Sequence, residues 1–232
     1  MKKIFLLFWI FCIAVITSCE KDELKLPAEV KLGFDMNSFN LEDNVKAGQQ
    51  FTVDEGYLIL SGIEFDGKRE QGEDYFFTSL FDEPLQAEMH SGVANQDVSF
   101  DIPQGIYSMI ELSLTLGDEE GPALWLRGRF QKGPLEDVAV LFEYSFREEI
   151  RVQAKNKEGN RQVILRKDTP ATATILMDAP FMFQLFNMGL LKNAEYFSIE
   201  GEETIIINNE RNTVIFNLLA PRLDKSLQVI FE

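Results

Sequence analysis

The chain offers few side chains of a type and spacing that could do chemistry. Cys19 is the most specific of them: it follows Ile16-Thr17-Ser18. A cysteine thiol is a strong nucleophile, and the two small residues before it leave it accessible on an extended chain. The other cysteine, Cys12, lies in the apolar run near the N-terminus, so residues 20–232 contain neither a disulfide nor a catalytic thiol. His90 is the only imidazole. It sits in Glu88-Met89-His90-Ser91-Gly92, which has the composition of a solvated loop, and no G-x-S-x-G elbow is present to partner it. No catalytic residue is assigned.

Carboxylates are abundant, with 38 Asp and Glu against 22 Lys and Arg. Two of them about 5–9.5 Å apart could hydrolyse a glycoside, but so many acids give no reason to select a pair. Zinc and copper prefer several His or Cys ligands, which this chain cannot supply. Calcium takes oxygen ligands, so Asp118, Glu119 and Glu120, or Asp66, Glu70, Glu73 and Asp74, are the candidates. Neither group has EF-hand spacing, and both are read as turn acids; neither metal nor cofactor is expected. Trp125 alternates with Arg127 and Arg129, opposite Leu124, Leu126 and Phe130. On a strand this puts an indole and two guanidiniums on one face, a possible platform for stacking a sugar ring. The plainer reading is an indole covering the sheet, with arginine stems packed beside it.

The elements that must position these residues begin with the N-terminus. Lys2 and Lys3 precede the almost wholly apolar run Ile4–Ile16, which suits a secretion signal and is too short to span a bilayer core of about 30 Å. The expected organisation is a signal over residues 1–18, a lipidated tether over 19–29, and a single domain over 30–232 with a possible subordinate boundary near 179. Removing residues 1–18 takes away two lysines and no acid, which leaves 20 basic and 38 acidic side chains in the mature chain. Such acidity excludes nucleic acid, which needs clustered cations. It also argues against docking on anionic lipid headgroups.

From residue 30 onward, period-two alternation dominates. Strands are expected at 30–34, 57–65, 75–81, 98–102, 106–116, 123–130 and 138–146. In the second of these, Tyr57, Ile59, Ile63 and Phe65 would share one face, with Leu58 and Leu60 opposite. Val98 to Leu116 reads as strand–turn–strand about Pro103-Gln104-Gly105. In its second strand Ile106, Ser108, Ile110, Leu112 and Leu114 would share a face, opposite Tyr107, Met109, Glu111 and Ser113. Strands 150–154 and 163–165 would flank a basic hairpin tip at 155–161. A helix is expected over 181–194, and 212–219 fits strand or helix. The fold class expected is mainly β: an antiparallel β-sandwich with one short helix in the C-terminal third.

Ile16-Thr17-Ser18-Cys19 resembles the lipobox of bacterial lipoproteins. Glu20-Lys21-Asp22-Glu23 resembles the surface-export signal of lipoproteins from the Bacteroidota. Leu60-Ser61-Gly62-Ile63-Glu64-Phe65-Asp66-Gly67 and Phe100–Leu112 are similar to uncharacterised β-sandwich surface lipoproteins of that group, in which an I-P-x-G-x-Y-x-x-I hairpin forms part of the core. The resemblance implies cleavage after Ser18, palmitate-type acylation of the Cys19 thiol, with each buried methylene adding roughly 0.8 kcal/mol of membrane affinity, and an outer-membrane location facing the cell exterior. It implies no active site. The expected role is therefore non-catalytic binding to a glycan or a partner protein at the outer membrane. The alternatives are a pilin-like or adhesin subunit assembling by strand addition, and a hydrolase with paired carboxylates.

Overall fold

A computed structural model describes residues 23–42, 49–118, 121–133 and 136–232. Its spine is one long strand, β3 (Gln50–Arg69). Alternation along β3 is interrupted twice, by irregularities between Val53 and Glu55 and between Leu60 and Gly62. A bulge inserts one unpaired residue and so exchanges the faces that odd and even positions occupy. Phe51 and Val53 are buried, then Leu58 and Leu60, then Ile63 and Phe65. Leu58, Leu60, Ile63 and Phe65 therefore all enter the core, where uninterrupted alternation would put them on opposite faces.

β3 carries neighbours on both edges. On one lie β2 (Phe39–Glu42) and then β4 (Tyr75–Glu88). On the other lie β7 (Leu124–Gly133) and then β6 (Gly105–Leu116). Beyond β7 come β8 (Glu136–Tyr144), β14 (Glu202–Ile207) and β13 (Phe197–Ile199). Beyond β6 come β9 (Glu149–Gln153) and β11 (Val163–Leu165), which occupy successive stretches of its edge. They do not pair with each other as the expected hairpin would.

A second sheet has the order β10 (Lys155–Asn156), β15 (Leu227–Phe231), β12 (Ala171–Asp178), β1 (Pro27–Asn37) and β5 (Ser99–Pro103). Val30, Ile102, Ala173 and Phe231 of this sheet line a common interior gap with Ile63, Phe65, Phe77 and Leu112 of the larger one. The two sheets thus face each other across the core. β1 begins at Pro27 and Ala28 is fully buried, so the last three residues of the expected tether belong to the sheet.

The fold is mainly β, but the sheets are mixed rather than antiparallel. β1 pairs β12, β8 pairs β14 and β10 pairs β15, all in parallel. Side-chain alternation is the same for both pairing directions, which is why the sequence did not show this. Pro103-Gln104-Gly105 also differs from expectation: β5 pairs β1 while β6 pairs β3, so this tripeptide carries the chain from one sheet to the other. Gly105 supports the change of direction with φ +152°. A further irregularity beside Lys68 and Arg69 shifts β6 so that Tyr107 is fully buried and Ile106 is exposed, the reverse of the expected faces.

The expected single helix is two short ones, α1 (Ala179–Met182) and α2 (Met188–Lys192). α1 starts on a cap, the Phe181 N–H donating to Asp178 Oδ1 at 3.0 Å, with Pro180 placed where its missing N–H costs nothing. The ambiguous 212–219 segment is α3 (Thr213–Leu219), followed by a 3₁₀ turn and α4 (Leu223–Ser226). Among the described residues no helix is long and apolar enough to cross a membrane. The aromatic residues form stacked groups in the core, for instance Phe65 with Phe77 at 5.5 Å and Phe142 with Phe216 at 5.8 Å.

Candidate functional site

Cys19, Glu20, Lys21 and Asp22 lie outside the described residues, as do Glu119 and Glu120 of one calcium candidate. The other candidate is engaged in its own turn. Asp66 and Asp74 bracket Lys68 Nζ at 3.2 and 3.4 Å, and the Arg69 N–H donates to Asp74 Oδ1 at 3.1 Å. That backbone bond, helped by Lys68, holds the Asp74 carboxyl below the usual carboxylate range. Among the described residues no three His, Cys, Asp or Glu side chains gather as a metal site. His90 is an exposed turn residue.

Trp125, Arg127 and Arg129 do share one face of β7, because Leu124, Leu126, Gly128 and Phe130 between them are buried. Gly128 is required by the close approach of β3: a Cβ there would lie 2.1 Å from the Thr52 carbonyl oxygen. This packing fixes the strand, and with it the three side chains on its far side. Trp125 is half-buried. Its ring lies 5.6 Å from that of Tyr57 on β3, tilted by 50°, within the usual range for a favourable aromatic pair. The sequence placed Tyr57 on a strand but gave no means of knowing that it lies opposite Trp125, since register between strands is a tertiary property.

The two arginines are held in ion pairs. Arg127 lies 3.9 Å from Glu55 and 3.8 Å from Glu202. Arg129 lies 2.9 Å from Asp137 and 3.6 Å from Glu202. These exposed pairs contribute little stability each, but they neutralise both guanidiniums. Across the sheet, Tyr57 is paired with Glu88 on β4, and Trp125 with Glu143 on β8. Glu143 accepts a hydrogen bond from Asn208 Nδ2 at 2.8 Å, and Glu88 accepts one from Ser91 Oγ at 2.7 Å. Two aromatic rings thus run between two carboxylates on the outer face of the larger sheet. Such a row can stack an apolar ring face and accept hydrogen bonds from hydroxyl groups beside it.

The chain has no match among protein-family profiles, curated proteins or solved structures.

Proposed function

We propose that this chain is an outer-membrane lipoprotein, acylated at Cys19 and facing the cell exterior, that works by binding rather than by catalysis. Tyr57 and Trp125 form the seat of the ligand, a neutral glycan. The observation that carries this reading is the half-buried aromatic pair, flanked by Glu88 and Glu143, on an outer face whose arginines are already neutralised. An anionic ligand would find both of these guanidiniums already paired with acids. A sugar would find ring faces for its C–H groups and carboxylates for its hydroxyls. The resemblance to surface lipoproteins of the Bacteroidota agrees with this location.

The test is retention of the purified lipoprotein on an array of neutral oligosaccharides, with Trp125→Ala beside the wild type. The expected loss in affinity is about tenfold, comparable to what one aromatic contact supplies. Absence of retention by the wild type, or equal retention by the variant, refutes the glycan reading. Palmitate incorporation compared between wild type and Cys19→Ala tests the anchor, and equal labelling refutes it.

One observation favours the alternative of assembly by strand addition. The outer edge of β4 over residues 75–82 pairs with no strand among the described residues, and Phe76 and Leu80 on it are exposed. Open edges of this kind accept an added strand. Concentration-dependent sedimentation that disappears in Thr78→Pro would support it.

A further inference from the structure

The chain enters the fold at a place where several hydrogen bonds converge. Arg69 Nη2 donates to the carbonyl oxygens of Leu24 and Gln104 at 2.7 and 2.6 Å, while Gln104 Nε2 donates to the Glu23 carbonyl at 2.7 Å. The Gln104 N–H donates to the Leu26 carbonyl at 2.8 Å, and the Lys167 N–H to Gln104 Oε1 at 3.2 Å. Gln104 therefore ties together the start of the chain, the crossover into β6 and the segment that follows β11.

Three exposed large hydrophobic residues lie on the segments gathered here: Leu26 at 36%, Ile106 at 39% and Ile164 at 52%. Ile106 and Ile164 are directly paired across β6 and β11, so their side chains lie on one side of the sheet. Lys25 adjoins Leu26, and Arg161, Arg166 and Lys167 lie within three residues of Ile164; all four are exposed and without an ion pair among the described residues. Lys132, Arg147, Lys155, Arg211, Arg222 and Lys225 also have no ion pair among the described residues; here four such cations share an end with three exposed apolar side chains. Acids are interspersed at this end too, Glu23, Glu70, Glu158 and Asp168, and the unpaired cations offset them.

Only Cys19 to Asp22 separate the proposed acylation site from Glu23. Four residues reach at most about 14 Å fully extended. Whatever those residues do, this end of the domain must stay within that distance of the lipid.

We propose that this end is the membrane-facing surface of the domain, seated on the phosphate headgroups of the leaflet that holds the Cys19 acyl chains. It rests on the reading that Cys19 is acylated. Leu26, Ile106 and Ile164 enter the interfacial layer, and Lys25, Arg161, Arg166 and Lys167 meet lipid phosphates. The net charge of the chain opposes lipid docking only on average. Screening limits each charge to about 8 Å at physiological salt, so the local balance decides. Lys25, Arg161, Arg166 and Lys167 are balanced by Glu23, Glu70, Glu158 and Asp168, so this end is close to neutral where the whole chain is strongly acidic, and each cation turned toward an anionic surface strengthens partition by about fivefold. The effect is to orient the domain: β6 leads away from this end through 12 residues to Leu116, on the order of 40 Å. Near Leu116 lies α3: Phe216 stacks on Tyr144, whose hydroxyl donates to Glu148, and the Leu116 N–H donates to the Glu148 carbonyl.

The test uses the lipidated protein in vesicles of phosphatidylcholine, with and without phosphatidylglycerol, carrying a headgroup quencher. The mature chain has no thiol besides Cys19, so an environment-sensitive probe can be placed by Ile164→Cys or, at the far end, by Val214→Cys, a 76% exposed position. The probe at 164 is expected to shift to the blue and to be quenched, more strongly with phosphatidylglycerol present, while the probe at 214 does neither. Combining Arg161→Glu, Arg166→Glu and Lys167→Glu, all exposed positions, should abolish the quenching at 164. Equal quenching at both positions, or quenching at 164 that survives the charge reversal, overturns the surface. Palmitate labelling of the same samples reports the anchor separately: labelled protein without the quenching difference refutes this surface alone, whereas unlabelled protein refutes acylation and the proposal with it.

Discussion

Replacing Gly128 with alanine sets two effects of opposite sign against each other. Gly→Ala at a compatible backbone position stabilises by about 0.4–1 kcal/mol, because the unfolded chain loses freedom. Against this, the new Cβ would lie 2.1 Å from the Thr52 carbonyl oxygen and 3.0 Å from the Phe51 ring. The first neighbour is backbone in β3 and cannot rotate away. Relieving the contact means moving two paired strands by roughly 1 Å, and overpacking of this kind costs about 1–3 kcal/mol or more. The steric effect wins, so Gly128→Ala should lower stability by about 2 kcal/mol net. Gly133 on the same strand is the control, since a Cβ there meets nothing within 4 Å; Gly133→Ala should leave stability unchanged or raise it by up to about 1 kcal/mol. Urea unfolding followed by tryptophan fluorescence reads both, with Trp125 three residues from Gly128 on the same strand. A Gly128→Ala midpoint at or above that of the wild type refutes the reasoning, and so would a fall of equal size in Gly133→Ala.

Phe65→Ala removes a fully buried ring that stacks on Phe77 at 5.5 Å and meets Tyr107 edge-on at 6.0 Å. It should cost about 3–5 kcal/mol by the same denaturation assay. Asn212 has φ +48° and holds three backbone groups, accepting from the Glu195 N–H at 2.8 Å and donating to the Ile206 and Glu195 carbonyls at 2.8 and 3.0 Å. Asn212→Gly tolerates the left-handed backbone and loses only the hydrogen bonds, at about 1 kcal/mol each; Asn212→Ala should be worse by a further ~1 kcal/mol of backbone strain, and equal melting of the two variants would contradict this. Burial pushes the Tyr107 phenol up to about 12 while its hydroxyl donates to the Pro103 carbonyl at 2.7 Å. The folded state thus holds this proton more tightly than the unfolded state does. The stabilisation is complete below pH 10 and is lost as pH rises from about 10 to 12, with a limiting slope of about 1.4 kcal/mol per pH unit. Tyr107→Phe should flatten that part of the alkaline stability curve, and an unchanged slope would exclude Tyr107 as its source.

The sequence by itself determined the β character, because period-two alternation at 30–34, 98–102, 124–130 and 138–146 leaves a strand as the only way to bury one face. It also put Trp125, Arg127 and Arg129 on a common face, since that depends on one strand alone. It could not show the bulges of β3 that bring Leu58 and Phe65 into the same core, because a bulge is set by the partner strands and not by the bulged one. Nor could it show that β1 and β12 run parallel, that Pro103–Gly105 joins two sheets, or that Tyr57 lies beside Trp125. Each of these is a relation between segments far apart along the chain, fixed only when side chains from both sheets close one core. The same closure brings the segments that carry Leu26, Ile106 and Ile164 together around Gln104. Composition averages over the whole surface, whereas the fold decides which charges become neighbours.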